Sequence, residues 1–220
     1  MKNPPQGGFF FFGDQMTKQI LFTTACLAAA GGAAAGDMFS DLRSWELRTA
    51  PAADLASAIG VRPDGVLAVS GAPSGFFATT ASYRNYRLHV EWRWPGKEGN
   101  AGVLLHISEG PMDRVWPLSL QVQTKSGSAG DVLPMAGATF AEPLTGDKPA
   151  VKARIAAGSE LPAGEWNSAD IVARNGVIEV SVNGVVQNRV TGTLPREGRI
   201  GFQLEGTPYE LRHVELTPLE

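Results

Sequence analysis

Residues Leu118-Ser119-Leu120-Gln121-Val122-Gln123-Thr124-Lys125 alternate without a break. Successive side chains of a β-strand point to opposite faces. Ser119, Gln121, Gln123 and Lys125 therefore fall on one side, and Leu118, Leu120, Val122 and Thr124 face a core. Two amides and an ammonium in a row suit a ligand rich in hydroxyls, which points to a carbohydrate; the competing reading is a solvated outer face. His106 has an ordinary pKa near neutrality and qualifies as a general base or a metal ligand, or else as a ring that only bonds neighbouring polar groups. Glu205 follows an alternation through Gly201 and Gln203 and is a second acid/base candidate, or a solvated strand end. Glu91 and Arg93 share one face, so the arginine would hold the carboxylate ionised; the alternative is a surface ion pair of little energetic weight. Trp116, beside Pro117, would stack on a sugar ring or be buried. Asn100 and Asp131 are polar loop residues that suit ligand contacts as well as turns.

Several chemistries are disfavoured by the residues themselves. A retaining glucanase needs two carboxylates about 5 Å apart, and no Glu-x-Asp-x-x-Glu occurs. No Gly-x-Ser-x-Gly elbow marks a serine hydrolase. The three histidines are well separated and the single cysteine is Cys26, so a structural zinc site is unsupported. The 19 basic and 22 acidic residues leave a slightly acidic chain without a basic run, which argues against nucleic acid.

The elements that would position these groups read as strands nearly throughout. Arg87-Leu88-His89-Val90-Glu91-Trp92-Arg93-Trp94 alternates, with the leucine, valine and tryptophans facing inwards. Residues 101–107 form a mostly apolar strand carrying His106. Asn175-Gly176 and Asn183-Gly184 each separate β-branched runs, the strongest short hairpin signal, and together predict a three-stranded meander. Strands are also expected over 199–205 and 209–216, one short helix within 52–59, and a long Gly- and Pro-rich loop over 126–149. Strands at this spacing imply an all-β, two-sheet antiparallel sandwich, and 220 residues suffice for one sizeable core.

The N-terminal residues read as a targeting segment. Met16-Thr17-Lys18 is a short positive start, residues 20–35 are apolar and small, and Ala33-Ala34-Ala35 resembles a signal-peptidase site. Residues 1–15 do not fit such a segment and are expected to be a spurious extension before a true start at Met16. Export to the bacterial periplasm or beyond follows, with a mature domain over 36–220 and no membrane span, the apolar run being too short and too rich in alanine and glycine. Lipid attachment at Cys26 is the alternative.

Six segments in order carry a family resemblance: Asn100-Ala101-Gly102-Val103-Leu104-Leu105-His106, Trp116-Pro117 leading to Gln121-Val122-Gln123, Ser126-Gly127-Ser128-Ala129-Gly130-Asp131, Gly164-Glu165-Trp166-Asn167, Val182-Asn183-Gly184, and Gly201-Phe202-Gln203-Leu204-Glu205-Gly206 with Leu211-Arg212-His213. Together they resemble the exported 3-keto-disaccharide hydrolases over nearly all of the mature chain. The resemblance implies a concanavalin-like jelly roll with a sugar groove on its concave sheet, and action on glycosides oxidised to a ketone at carbon 3. It places His106 and Glu205 in matching motifs. The chain departs from the family pattern at Ala101, where a serine is usual, at Gln121, where a glutamate is usual, and at His213, where an asparagine is usual.

A ketone at carbon 3 acidifies the proton on carbon 2, so a base removes it and the aglycone leaves carbon 1 by elimination before water adds back. The site then needs a base, a stabiliser for the enediolate and an acid for the leaving oxygen. His106 and Glu205 are candidates for the base, and Lys125 would offset the enediolate charge. Gln121 and Gln123 would bond substrate hydroxyls. A divalent metal bridging the ketone and its neighbouring hydroxyl would be the one cofactor. The partner is a glycoside or oligosaccharide, and the rival to catalysis is a non-catalytic sugar-binding module.

Overall fold

Both Asn-Gly pairs turn the chain as their sequence requires. Asn175 and Gly176, and Asn183 and Gly184, all take positive φ, the backbone of a two-residue hairpin turn that matches strand twist. Arg174 then pairs with Val177, and Val182 with Val185, which gives the expected meander. The computed structural model describes residues 36–220; the proposed extension (1–15), the targeting segment (16–35) and Cys26 lie outside the described residues.

Two large antiparallel sheets make a jelly-roll sandwich. The eight-stranded sheet runs Val185–Val190, Val177–Val182, Asn167–Arg174, Tyr86–Arg93, Tyr209–Pro218, Leu67–Val69 and Ile59–Val61, with Gly36–Asp37 also pairing Tyr209–Pro218. The six-stranded sheet runs Val132–Met135, Ser119–Gln123, Gly102–Ile107, Arg199–Leu204, Ser74–Thr79 and Trp45–Ala50. One short helix, Leu55–Ala58, falls inside the span expected for it. Among the described residues no helix is long and apolar enough to cross a membrane.

Between the sheets lie Leu88, Val90, Trp92 and Trp94 from one side and Val103, Leu105, Leu120, Val122 and Phe202 from the other. The Phe77 and Phe202 rings stack at 5.4 Å. Each such aliphatic or aromatic side chain contributes roughly 1.5–3 kcal/mol on burial, so the domain coheres without disulfides.

The outer faces differ. In Tyr86–Arg93 and Asn167–Arg174, buried positions alternate with partly exposed ones, as expected where one face meets water. In Gly102–Ile107 and Ser119–Gln123 every position is buried. Both faces of these two strands are thus shielded from water, and the strand that flanks Ser119–Gln123 is a correction to the sequence reading. Residues 126–149 are not all loop: Val132–Met135 pairs with Ser119–Gln123 as the sheet's edge. Pro134 hides this strand in the sequence, but an edge strand tolerates a residue without an N–H.

Candidate functional site

The alternation through Ser119–Gln123 sends Leu120 and Val122 into the core and Ser119, Gln121 and Gln123 to the opposite face. That face is not solvated. Gln121 is 3% exposed and Gln123 is 9% exposed. The strand register sets Gly102 beside Gln123, and on the following strand Gln203 alternates with Gly201 on the same outer face. Gln203 is 2% exposed. The three amides form a chain: Gln203 Nε2 donates to Gln121 Oε1 at 3.2 Å, and Gln121 Nε2 donates to Gln123 Oε1 at 2.6 Å. Gly102 makes room for it. A Cβ there would stand 2.6 Å from Gln121 Nε2 and 2.7 Å from Gln203 Oε1, closer than heavy atoms pack.

These amides floor a cavity of about 570 Å³, within the range of small-molecule sites. Glu205 and Lys125 continue the two pleats beyond Gln203 and Gln123 and also line it, with Asn100, Trp116 and Arg114. Burial pushes the Glu205 carboxyl above the usual carboxylate range, and the charges of Lys125 and Arg114 oppose that rise. Asn100 Oδ1 and Gln203 Oε1 are buried without a donor among the described residues. A buried acceptor left unpaired costs about 1–3 kcal/mol, and a hydroxyl group entering the cavity would satisfy it. The site thus offers a partly buried carboxylate, a cation beside it and a rack of amides.

Of the residues singled out in the sequence, the cavity collects Asn100, Trp116, Gln121, Gln123, Lys125 and Glu205. Trp116 is buried in its wall, on a small hairpin in which Asp113 pairs with Trp116. His106 is elsewhere. The register slips between Arg199 and Gly201, so that Leu104 and Ile107 both lie on the outer face. His106 takes positive φ at this bulge and turns inwards, its ring edge-on to Tyr86 at 5.7 Å with Nδ1 3.2 Å from the Pro195 carbonyl oxygen. Burial lowers its pKa to about 4, against weaker opposing hydrogen bonds, so it stays neutral near pH 7.

Glu91 and Arg93 lie on the outer face of the eight-stranded sheet, across the sandwich from the cavity, and they do not pair with each other. Arg212 Nε donates to Glu91, and Arg93 Nε donates to Glu210. Both guanidiniums stack on Trp166, at 4.1 Å for Arg212 and 4.6 Å for Arg93. Burial raises the Glu91 pKa, but hydrogen bonds from Arg212 and His213 outweigh it and hold the carboxyl below its ordinary value. Asp131 spends Oδ1 on the backbone N–H of Arg154 at 2.8 Å and does not line the cavity.

Five polar or charged lining residues carried no role in the sequence reading: Asp113, Arg114, Asp147, Lys148 and Gln203. Gln203 was visible in the alternation that led to Glu205. Arg114 sits in an exposed loop with no periodicity to flag it. Among the described residues no group of three or more His, Cys, Asp or Glu is placed to hold a metal ion.

Residues 35–217 match the 3-keto-alpha-glucoside-1,2-lyase-like domain. No curated protein matches the chain's sequence. Among solved structures, a candidate glycosyl hydrolase from Parabacteroides distasonis ATCC 8503 superposes with a TM-score of 0.61 at 21% identity, over 82% of this chain and 90% of that one. The carbohydrate-binding module CBM66 from Bacillus subtilis gives 0.54 at 9% identity, over 79% and 95%. A β-glucanase from Bacillus licheniformis gives 0.52 at 12%, over 80% and 92%. At these identities the likeness is one of fold.

Proposed function

The chain belongs to the family of 3-keto-alpha-glucoside-1,2-lyase-like domains, and on that premise we propose that it cleaves 3-keto-glycosides in the amide-floored cavity. The observation that carries this reading is the placement of Glu205 and Lys125 in the lining of one cavity floored by three linked glutamines.

Glu205, as carboxylate, removes the proton from carbon 2 of the 3-keto sugar. The C–H electron pair passes into an enediolate delocalised onto the ketone oxygen, and the Lys125 ammonium stabilises that oxygen. The pair then returns to form the carbon 1–carbon 2 double bond and expels the aglycone oxygen. Water gives a proton to the departing oxygen and its hydroxide to carbon 1, and Glu205, whose proton exchanges with solvent once the aglycone has left, protonates carbon 2. The sum is hydrolysis. Partial burial of Glu205 brings its pKa towards neutrality, which suits a base that must both take and return a proton. The amides of Gln121, Gln123 and Gln203 and the oxygen of Asn100 orient the ring through its hydroxyls. These steps require no divalent metal.

A second reading is a non-catalytic carbohydrate-binding module of the cell envelope. It draws on Gln121, where the family resemblance calls for a glutamate and this cavity floor has a neutral amide. Exported residence in the periplasm accords with either reading. Incubation with an aryl 3-keto-glucoside, with and without chelator, separates them. Aglycone release in both conditions supports the mechanism above; saturable binding without release supports the module.

A further inference from the structure

A second depression adjoins the sugar cavity. It holds about 460 Å³ and is lined by Arg48, Thr49, Ser74, Arg114, Val115 and Trp116, among others. Arg114 and Trp116 line both cavities, so the two share a wall. The far side of the second cavity is the paired edge of the six-stranded sheet, where Ala50 lies opposite Ser74 and Arg48 opposite Phe76.

Its charge differs from that of its neighbour. The sugar cavity mixes Lys125, Lys148 and Arg114 with Glu205, Asp113 and Asp147. The second cavity's charged lining is Arg48 and Arg114 alone. Neither is well compensated. Arg114 has Asp113 at 3.7 Å with both side chains exposed, and no ion pair holds Arg48 among the described residues. The remaining wall is the apolar flank of Val115 and Trp116, and Thr49 Oγ1 is buried there without a partner.

We propose that this second cavity is the aglycone subsite, and that it takes an aglycone with a flat apolar body carrying a carboxylate. The proposal rests on the glycoside-cleaving reading of the first cavity. A sugar seated over the glutamines places its substituent at the common wall of Arg114 and Trp116. The apolar body lies along Val115 and Trp116, and two guanidiniums facing one carboxylate offer the bidentate geometry that makes such pairs strong and selective. A cationic aglycone meets like charge on both sides.

Calorimetric titration of the Glu205→Gln variant, which lacks the base and so leaves the glycosides uncleaved on the timescale of binding, with phenyl, 4-carboxyphenyl and 4-trimethylammoniophenyl 3-keto-glucosides tests this. The carboxylate is expected to bind about tenfold more tightly than phenyl, the scale of one charge-assisted contact, and the cation more weakly than either. Arg48→Ala is expected to remove most of the carboxylate advantage while leaving phenyl affinity unchanged, and Arg48→Glu to reverse the order of the charged pair. Equal affinities, or a carboxylate advantage untouched by both Arg48 variants, would overturn the subsite while the sugar reading stood. Failure of all three glycosides to bind would remove the sugar reading and the subsite with it.

Discussion

Gly102→Ala isolates the amide floor from the rest of the fold. The residue is buried and its φ is not in the left-handed region, so alanine brings no backbone strain, only a methyl group. That methyl would meet Gln121 Nε2 at 2.6 Å, Gln203 Oε1 at 2.7 Å and Gln121 Cγ at 2.8 Å. The amide tips can swing, but Cγ is close to the backbone of a paired central strand and yields little. Two costs follow. Overpacking of a filled site is worth roughly 1–3 kcal/mol, and separating the glutamines breaks the Gln203-to-Gln121 hydrogen bond, a further ~0.5–1.5 kcal/mol. Urea unfolding should therefore show a loss of about 1.5–4.5 kcal/mol, the combined range of those terms. Glycoside binding measured by calorimetry should weaken by at least about tenfold, the effect of one lost polar contact. The double variant Gly102→Ala, Gln121→Ala removes both Gln121 atoms that the methyl meets and should recover most of the stability, but not the affinity. If Gly102→Ala leaves both stability and affinity at wild-type values, the amide chain is not the floor of a binding site and the reasoning fails.

Other consequences are simpler. Protonation of His106 is opposed by burial in the folded state, with a pKa of about 4, whereas the unfolded chain protonates near 6.5. Its contribution is present above pH 6.5 and is lost as pH falls through 4, by about 3 kcal/mol in all; His106→Gln should flatten that part of the stability profile relative to wild type, and parallel profiles would contradict the buried placement. Glu91→Gln removes an acceptor from Arg212 and His213 on the opposite outer face, so it should change stability modestly and leave glycoside affinity within about twofold, a shift below ~0.5 kcal/mol. Lys125→Ala should lower the rate of aglycone release more than it weakens binding, since the enediolate charge it meets exists only after deprotonation; equal losses in both would assign Lys125 to ground-state binding.

The Asn175-Gly176 and Asn183-Gly184 hairpins are legible in the sequence because two consecutive positive-φ positions admit few residue types. The inward set of Tyr86–Arg93 is legible because one face of that sheet meets water, which keeps its polarity alternating. The direction of Gln121 and Gln123 follows from the same periodicity, but their burial does not: it comes from loops that carry no period and from a strand around Pro134 that reads as a loop. His106 marks a different boundary. Strict alternation from Gly102 would send it outwards beside Leu104, and one bulged residue reverses it. A positive-φ bulge at a histidine leaves no trace in residue type. Glu91 and Arg93 lie on one face, as read, but two strands pairing with Tyr86–Arg93 could each cover that face, and only the register shows that Arg212 and Glu210 arrive as their partners.

The fate of the hydrogen on carbon 2 addresses the central claim most directly. In deuterium oxide, wild-type protein acting on an aryl 3-keto-glucoside should release the aglycone and return a sugar carrying deuterium at carbon 2, and Glu205→Gln should slow both by roughly 10²–10⁴-fold, the usual span for a general base. Aglycone release that leaves the original hydrogen in place, or that proceeds unchanged in Glu205→Gln, would contradict it.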